Sequence, residues 1–115
     1  MTYRLAGATL ATLLIDGKVD STDWENIGKC IARFHKAGVC HADLNAHNVL
    51  VDDAGGVALI DFDRARRLGT DGQSYPAKWS YANIERLWRS ICKSTASTER
   101  QQAGFDILRQ AWLDT

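Results

Sequence analysis

The tightest constraint on this chain is a pair of short apolar runs, Val49-Leu50-Val51 and Val57-Ala58-Leu59-Ile60, set on either side of the turn-forming Asp52-Asp53-Ala54-Gly55-Gly56. Runs this short, rich in β-branched residues and joined by Asp and Gly, predict an antiparallel hairpin over 49–61. A hairpin returns the chain to the end it left. Asn48, before the first run, is therefore expected to face Asp61, after the second. The polar stretch His41-Ala42-Asp43-Leu44-Asn45-Ala46-His47-Asn48 leads directly into the hairpin, so that Asp43 joins the same end.

Helical periodicity organises the remainder. Thr22-Asp23-Trp24-Glu25 reads as a capping box with Thr22 as N-cap and Glu25 at N3. Trp24, Ile27, Ile31 and Phe34 then recur at helical spacing until Gly38, a C-terminal stop, which predicts a helix over about 23–37, or 22–38 with its caps. Residues 9–15 form a short helix or an apolar segment closed by Asp16-Gly17-Lys18. The stretch from Arg64 to Lys78, with the single proline Pro76, reads as a loop. Two helices are predicted over 79–112, one carrying Trp79, Ala82, Ile84, Leu87, Trp88 and Ile91, the other Ala103, Ile107, Leu108, Ala111 and Trp112 after the polar break 94–98. The fold class is mainly α with a short β-hairpin (α+β). Trp24, Trp79, Trp88 and Trp112 fall at core-like positions and are read as core rather than as sugar-stacking platforms.

Composition excludes several functions. With 115 residues, 45% hydrophobic and 24% charged, the chain is one small globular domain and not a disordered one. Its formal net charge of zero gives no global field for nucleic acid or an anionic membrane, so any attraction to phosphate is local. The three cysteines, Cys30, Cys40 and Cys92, have no CxxC spacing and are read as buried thiols of a reducing compartment. The apolar run 5–15 lacks the cleavage pattern of a signal peptide, and no window approaches the length of a membrane-spanning helix; the expectation is a cytoplasmic protein.

Phosphoryl transfer explains why Asp43, Asn48 and Asp61 should be brought together. Transfer from ATP needs Mg²⁺ to neutralise the phosphates, oxygen ligands to hold it, and a carboxylate that orients the attacking hydroxyl and takes its proton. On this reading Asp43 is the base, and Asn48 and Asp61 are the metal ligands.

The same residues carry a resemblance. His41-Ala42-Asp43-Leu44 with Asn48 matches the H-x-D-L-x-x-x-N catalytic loop of the protein-kinase-like superfamily, and Asp61-Phe62-Asp63 stands where that superfamily has D-F-G. More narrowly, His-Ala-Asp-Leu-Asn-Ala-His-Asn, the later Ile-Asp-Phe-Asp-Arg and the Asn83-Ile84-Glu85-Arg86-Leu87 helix resemble the 3-deoxy-D-manno-octulosonic acid (Kdo) kinases over roughly residues 3–112. The resemblance implies ATP-dependent phosphorylation of the 4-hydroxyl of Kdo on lipid A in lipopolysaccharide biosynthesis, at the cytoplasmic side of the bacterial inner membrane. It implies ATP and Mg²⁺ as cofactors, Kdo-lipid A as partner, peripheral membrane contact, no nucleic acid and no protein partner. It also makes Asp43 the catalytic base, Asn48 and Asp61 the metal ligands, Leu50 the apolar floor beneath the adenine, and Ile60 a second lining residue of that pocket. His41 is then a scaffold of the loop.

Several positions stay open. Asp63 replaces the glycine of protein kinases, which turns the reading toward kinases of small molecules and lipopolysaccharide; it is either a further metal ligand or an exposed turn residue. Asn45 and His47 are either loop residues or substrate contacts. Arg64, Arg66 and Arg67 either clamp a substrate carboxylate or phosphate or form a solvated basic loop, whereas Lys78, Arg86, Arg89 and Lys93 are read as the wet face of a helix. Nothing in the chain matches the Gly-rich loop, the strand lysine or the helix glutamate of a full kinase. The expectation is therefore the C-terminal lobe of a protein-kinase-like fold with the N-terminal lobe absent: residues 1–8 as the end of a hinge strand, 22–38 as a helix, 41–48 as the catalytic loop, 49–61 as the hairpin and 79–112 as helices. Weak ATP binding and little turnover would follow. The alternatives are an inactive truncated remnant, a heptose kinase, and an aminoglycoside-type or other small-molecule phosphotransferase.

Overall fold

The structure, a computed structural model, describes residues 8–41, 43–52, 56–60, 66–67, 78–94 and 99–115. Strand β1 (Ala8–Thr9) runs directly into helix α1 (Leu10–Ile15), followed by α2 (Ser21–Lys36), β2 (Val39–Cys40), β3 (Val49–Val51), β4 (Val57–Leu59), β5 (Arg66–Arg67), α3 (Lys78–Ser94) and α4 (Glu99–Asp114). The balance of long helices and a small antiparallel sheet is the α+β class that the sequence indicates.

The hairpin forms with β3 against β4 in the register Val49↔Leu59, Leu50↔Ala58 and Val51↔Val57. Period-2 alternation then divides its faces: Val49, Val51 and Leu59 are buried, while Leu50 and Ala58 lie on the opposite, more open face. Two further pairings join distant segments. β1 adds antiparallel to the free edge of β3, and β2 pairs with β5, so Arg66 and Arg67 belong to a short strand rather than to the loop expected there. Each partner contributes only two residues, too few to show alternation in sequence.

Helix α2 starts slightly earlier than Thr22 would place it. Asp20 is the N-cap: its carboxylate accepts the Asp23 backbone N–H at 2.8 Å, and Asp23 Oδ2 accepts the Asp20 N–H at 3.2 Å, a reciprocal capping box. The competing box at Thr22 and Glu25 is locally plausible, but it would forgo an apolar clasp. With Asp20 as cap, Val19 precedes it and Trp24 stands at N4, and the two line one small cavity beside the core. That hydrophobic staple selects the earlier start. At the other end Gly38 takes φ 80°, the left-handed conformation that closes the helix.

Helices α2 and α4 make the most extensive contact between elements. A Cβ on Gly28 would stand 2.2 Å from the Leu108 carbonyl oxygen, and one on Gly104 would stand 2.1 Å from Trp24 Nε1. Each helix therefore contributes a glycine that admits a group of the other. This corrects the face assigned to α4: Gln101, Gly104, Phe105, Leu108, Ala111 and Trp112 are buried, while Ala103 and Ile107 face outward. Gly104 carries no apolar side chain, so a hydrophobic stripe read from sequence passes over it. The core that results joins Leu10 and Leu14 of α1, Ile27 and Ile31 of α2, Leu44 and Ala46 of the 41–48 loop, Val49 and Leu59 of the sheet, and Ile84, Leu87 and Ile91 of α3. Trp24 and Trp112 are buried within it, and Trp88 packs at its border, 5.0 Å from Phe105 between ring centroids. The core thus reaches directly beneath the polar loop.

Candidate functional site

The loop from His41 to Asn48 is pinned by alternating anchors. Leu44 and Ala46 are fully buried, which drives two of its side chains into the core and leaves Asp43 and His47 exposed on either side of them. The main chain of Ala46 is gripped from both sides: its carbonyl accepts the Ala11 N–H of α1 at 3.0 Å, and its N–H donates to Ser90 Oγ of α3 at 2.9 Å. A loop held in this way presents its exposed side chains at fixed positions.

Asp43 stands at the centre of this arrangement. Its N–H donates to His41 Nδ1 at 3.2 Å, and its carbonyl accepts from Asn48 Nδ2 at 2.8 Å and from Asn45 Nδ2 at 3.1 Å. Both backbone groups of the residue are thereby committed, and the exposed carboxylate projects from a fixed base. Asn45 serves the loop a second time, since its Oδ1 accepts the His47 N–H at 2.8 Å, an Asx-type turn.

His41 connects the loop to the hairpin. The ring is buried, and its Nε2–H donates to the Ile60 carbonyl at 2.7 Å while Nδ1 accepts from Asp43. Those partners require the neutral ring with its proton on Nε2. Ile60 returns a backbone N–H to the Asn48 carbonyl at 2.9 Å, extending the hairpin register by one pair beyond Val49↔Leu59. The chain therefore brings Asn48 and Ile60 together where the sequence expects the metal site. Asn48 is itself buried, with its amide nitrogen committed to the Asp43 carbonyl. Asp61, Asp63 and Arg64 lie outside the described residues, as does the side chain of Arg66. Among the described residues no group of three or more His, Cys, Asp or Glu side chains converges on one point.

A buried polar chain supports the loop from beneath. Trp112 Nε1–H of α4 donates to His35 Nδ1 at 2.9 Å, His35 Nε2–H of α2 donates to Asn83 Oδ1 at 2.8 Å, and Asn83 Nδ2 of α3 donates to the His41 carbonyl at 2.8 Å. Every link needs neutral His35, and burial pushes its pKa below the ordinary value, against a smaller raising effect of the Asn83 hydrogen bond. Sequence reading missed His35 as a site element; its only local signal is a polar residue on the buried face of an amphipathic helix.

In front of the loop lies a cleft of about 310 Å³, lined by Asp43, Asn45 and His47 of the loop and by Arg86, Arg89, Ser90 and Lys93 of α3. The three cations are exposed, as expected of the wet face of a helix, and they also make one wall of the depression that contains Asp43. A second, smaller depression of about 160 Å³ lies at the hairpin, lined by Leu50, Asp52, Gly56, Val57 and Ala58. Ile60 is 39% exposed and does not line it, although strand alternation places it on the same face as Leu50 and Ala58. The cleft and the depression are thus a polar, cationic site and an apolar one, with the Asp43–Asn48 segment belonging to the first.

Comparison with known proteins relates this sequence to a family. The model of the lipopolysaccharide kinase (Kdo/WaaP) family matches residues 2–107. A 3-deoxy-D-manno-octulosonic acid kinase of Xylella fastidiosa (strain M12) is 44% identical over 113 residues, 95% of this chain and 43% of the relative. The protein of the same name in Xylella fastidiosa (strain M23) is 47% identical over 92 residues, 78% of this chain and 34% of the relative. That of Xanthomonas euvesicatoria pv. vesicatoria (strain 85-10) is 45% identical over 87 residues, 75% of this chain and 32% of the relative. The chain spans less than half the length of the curated relatives it matches.

Proposed function

The chain belongs to the lipopolysaccharide kinase (Kdo/WaaP) family, and from that premise we propose that its 41–48 loop is the acceptor-activating centre of an ATP-dependent kinase acting on the 4-hydroxyl of Kdo in Kdo-lipid A. The observation that carries this reading is Asp43: an exposed carboxylate on a backbone fixed at both its N–H and its carbonyl, opening into a cleft large enough for a small polar molecule. In the reaction the acceptor oxygen attacks the terminal phosphorus of ATP, the bond to the bridging oxygen breaks, and the hydroxyl proton passes to the Asp43 carboxylate. His41 and Asn48 act as positioning residues for that carboxylate, because their side chains hold its main chain. Asn48 Oδ1, with Asp61 and Asp63 as the nominated carboxylate partners, would hold Mg²⁺, which supplies neutralisation of the phosphate charges.

The nucleotide is assigned to the other side of the same loop, with Leu50 beneath the adenine on the apolar outer face of the hairpin and Ile60 beside it. Asn45, His47, Arg64 and Arg66 are assigned to the acceptor. A lipid-linked acceptor places the protein peripherally at the cytoplasmic surface of the inner membrane, and no described helix is long and apolar enough to cross a membrane.

The test is phosphate transfer from ATP to Kdo-lipid A, followed by the mass gain of one phosphate, with a heptose-bearing acceptor run in parallel. Asp43→Asn is expected to lower kcat by about 100-fold to 10,000-fold, the usual contribution of a positioned base, with little change in KM for the acceptor. An Asp43→Asn protein that turns over at the wild-type rate would remove the assignment. Transfer to heptose in preference to Kdo would move the acceptor and leave the chemistry in place.

A further inference from the structure

We infer that the Arg86, Arg89 and Lys93 wall of α3 binds an oxyanion group of the acceptor, a sugar carboxylate or a phosphate of the same glycolipid, and thereby fixes which hydroxyl meets Asp43. The inference rests on the phosphotransfer reading and names what holds the acceptor at that site.

Arg86, Arg89, Ser90 and Lys93 stand at i, i+3, i+4 and i+7, so they share one face of α3. Ile84, Leu87 and Ile91 occupy the opposing face and are buried, which fixes the rotation of the helix. Ser90 lies within the polar face and accepts the Ala46 N–H at 2.9 Å, so the cationic face is locked against the loop rather than merely adjacent to it. The result is a cleft in which, among the described residues, three cations face a single lining carboxylate, Asp43.

Among the described residues none of the three is held in an ion pair. Like charges three and four residues apart on a helix repel each other, which weakens rather than supports α3. The helix shows elsewhere what a structural ion pair looks like: Glu85, next to Arg86 in sequence but on another face, binds Arg109 of α4 at 2.9 Å. In the cleft the cations converge on a space of about 310 Å³, at the small end of ligand pockets, that is still open to an incoming group. An oxyanion seated there relieves their repulsion and accepts the paired N–H groups of guanidinium. Because Asp43 shares the cleft, a ligand anchored by its anion at α3 carries its hydroxyls past the base. Neutral sugars lack that anchor, so the cleft selects acidic or phosphorylated acceptors.

The test uses the full chain with ATP and three acceptors: the intact acidic glycolipid, its carboxyl-reduced form and its dephosphorylated form. Arg86→Ala and Arg89→Ala are each expected to raise KM for the intact acceptor about 10-fold to 100-fold, the range for a lost charge-assisted hydrogen bond, with KM for ATP moving less than about twofold. Arg89→Lys is expected to recover part of the loss. Whichever modified acceptor is already weak with the wild type, and becomes no weaker with Arg89→Ala, has lost the group the cleft binds. An unchanged acceptor KM in both alanine variants overturns the inference and leaves Asp43 as the base. An effect present in anionic vesicles and absent in detergent also overturns it, assigning the face to the membrane surface instead. If transfer by the wild type is too slow to measure, as the lack of a Gly-rich loop and strand lysine in this sequence leads one to expect, NMR titration with the free sugar acid and with inorganic phosphate decides the cleft. Shifts centred on Arg86 and Arg89 support it, and their absence overturns it.

Discussion

His35 does more for the 41–48 loop than its distance in sequence suggests, because it is the middle member of the chain that ends on the His41 carbonyl. Protonating its Nδ1 would turn an acceptor into a donor facing the Trp112 N–H, so the folded state favours the neutral ring. Its pKa is lowered by burial from the ordinary 6.5, which makes the unfolded chain the better proton binder as the pH falls. The stabilisation is therefore complete above the unfolded pKa and is lost progressively as the pH drops through it toward the folded value. Urea midpoints measured from about pH 7.5 to about pH 5.5 should fall more steeply for wild type than for His35→Gln; parallel slopes would show that His35 does not carry this dependence. Asn83→Ala removes the acceptor of the His35 Nε2–H and a donor to the His41 carbonyl. It should cost about 1–3 kcal/mol for each buried group left without a partner, read as a lower urea midpoint at constant slope.

Among the elements, the α2–α4 pair is the one most sensitive to size. Gly28→Ala would drive a methyl into the Leu108 carbonyl, a backbone atom that cannot swing aside. Gly104→Ala meets the Trp24 ring, itself held in the core. Overpacking of this kind costs about 1–3 kcal/mol or more, against about 1 kcal/mol for Asp20→Ala at the α2 cap. Thermal melts of the three variants should rank the two glycines below the cap variant; a reversed order would show that the helices separate easily. These elements also mark how far the sequence could be read. The β3–β4 hairpin was legible because Asp and Gly at a local turn select it. The β1–β3 and β2–β5 pairings were not, since two-residue strands carry no periodicity and their partners are remote. Asp43 and Asn48 were nominated from residue type and spacing, and the structure joins them in one loop. The wall of Arg86, Arg89 and Lys93 was not, because a cationic helical stripe looks the same in sequence whether it faces water or a cleft; only the Ser90–Ala46 bond settles its direction.

At the scale of the whole molecule, burial sorts the three thiols. Cys30 is buried, its Sγ directed at the Val57 carbonyl, and burial raises its pKa; Cys40 is also buried, while Cys92 is partly exposed. Thiolate is the reactive form, so alkylation of the native protein should label Cys92 first and Cys30 only on unfolding. Mass mapping of labelled peptides checks this, and early labelling of Cys30 would indicate that the sheet opens readily over α2. The interlocked glycines of α2 and α4 have a further consequence, in time rather than in space. Two backbones that approach this closely leave no room to part by small steps, so their amides should exchange with deuterium only in the rarest openings of the chain. The 43–48 loop is moored to that slow block through His41, Asn83 and His35. Acceptor and nucleotide would come and go against a keel that outlasts many such visits.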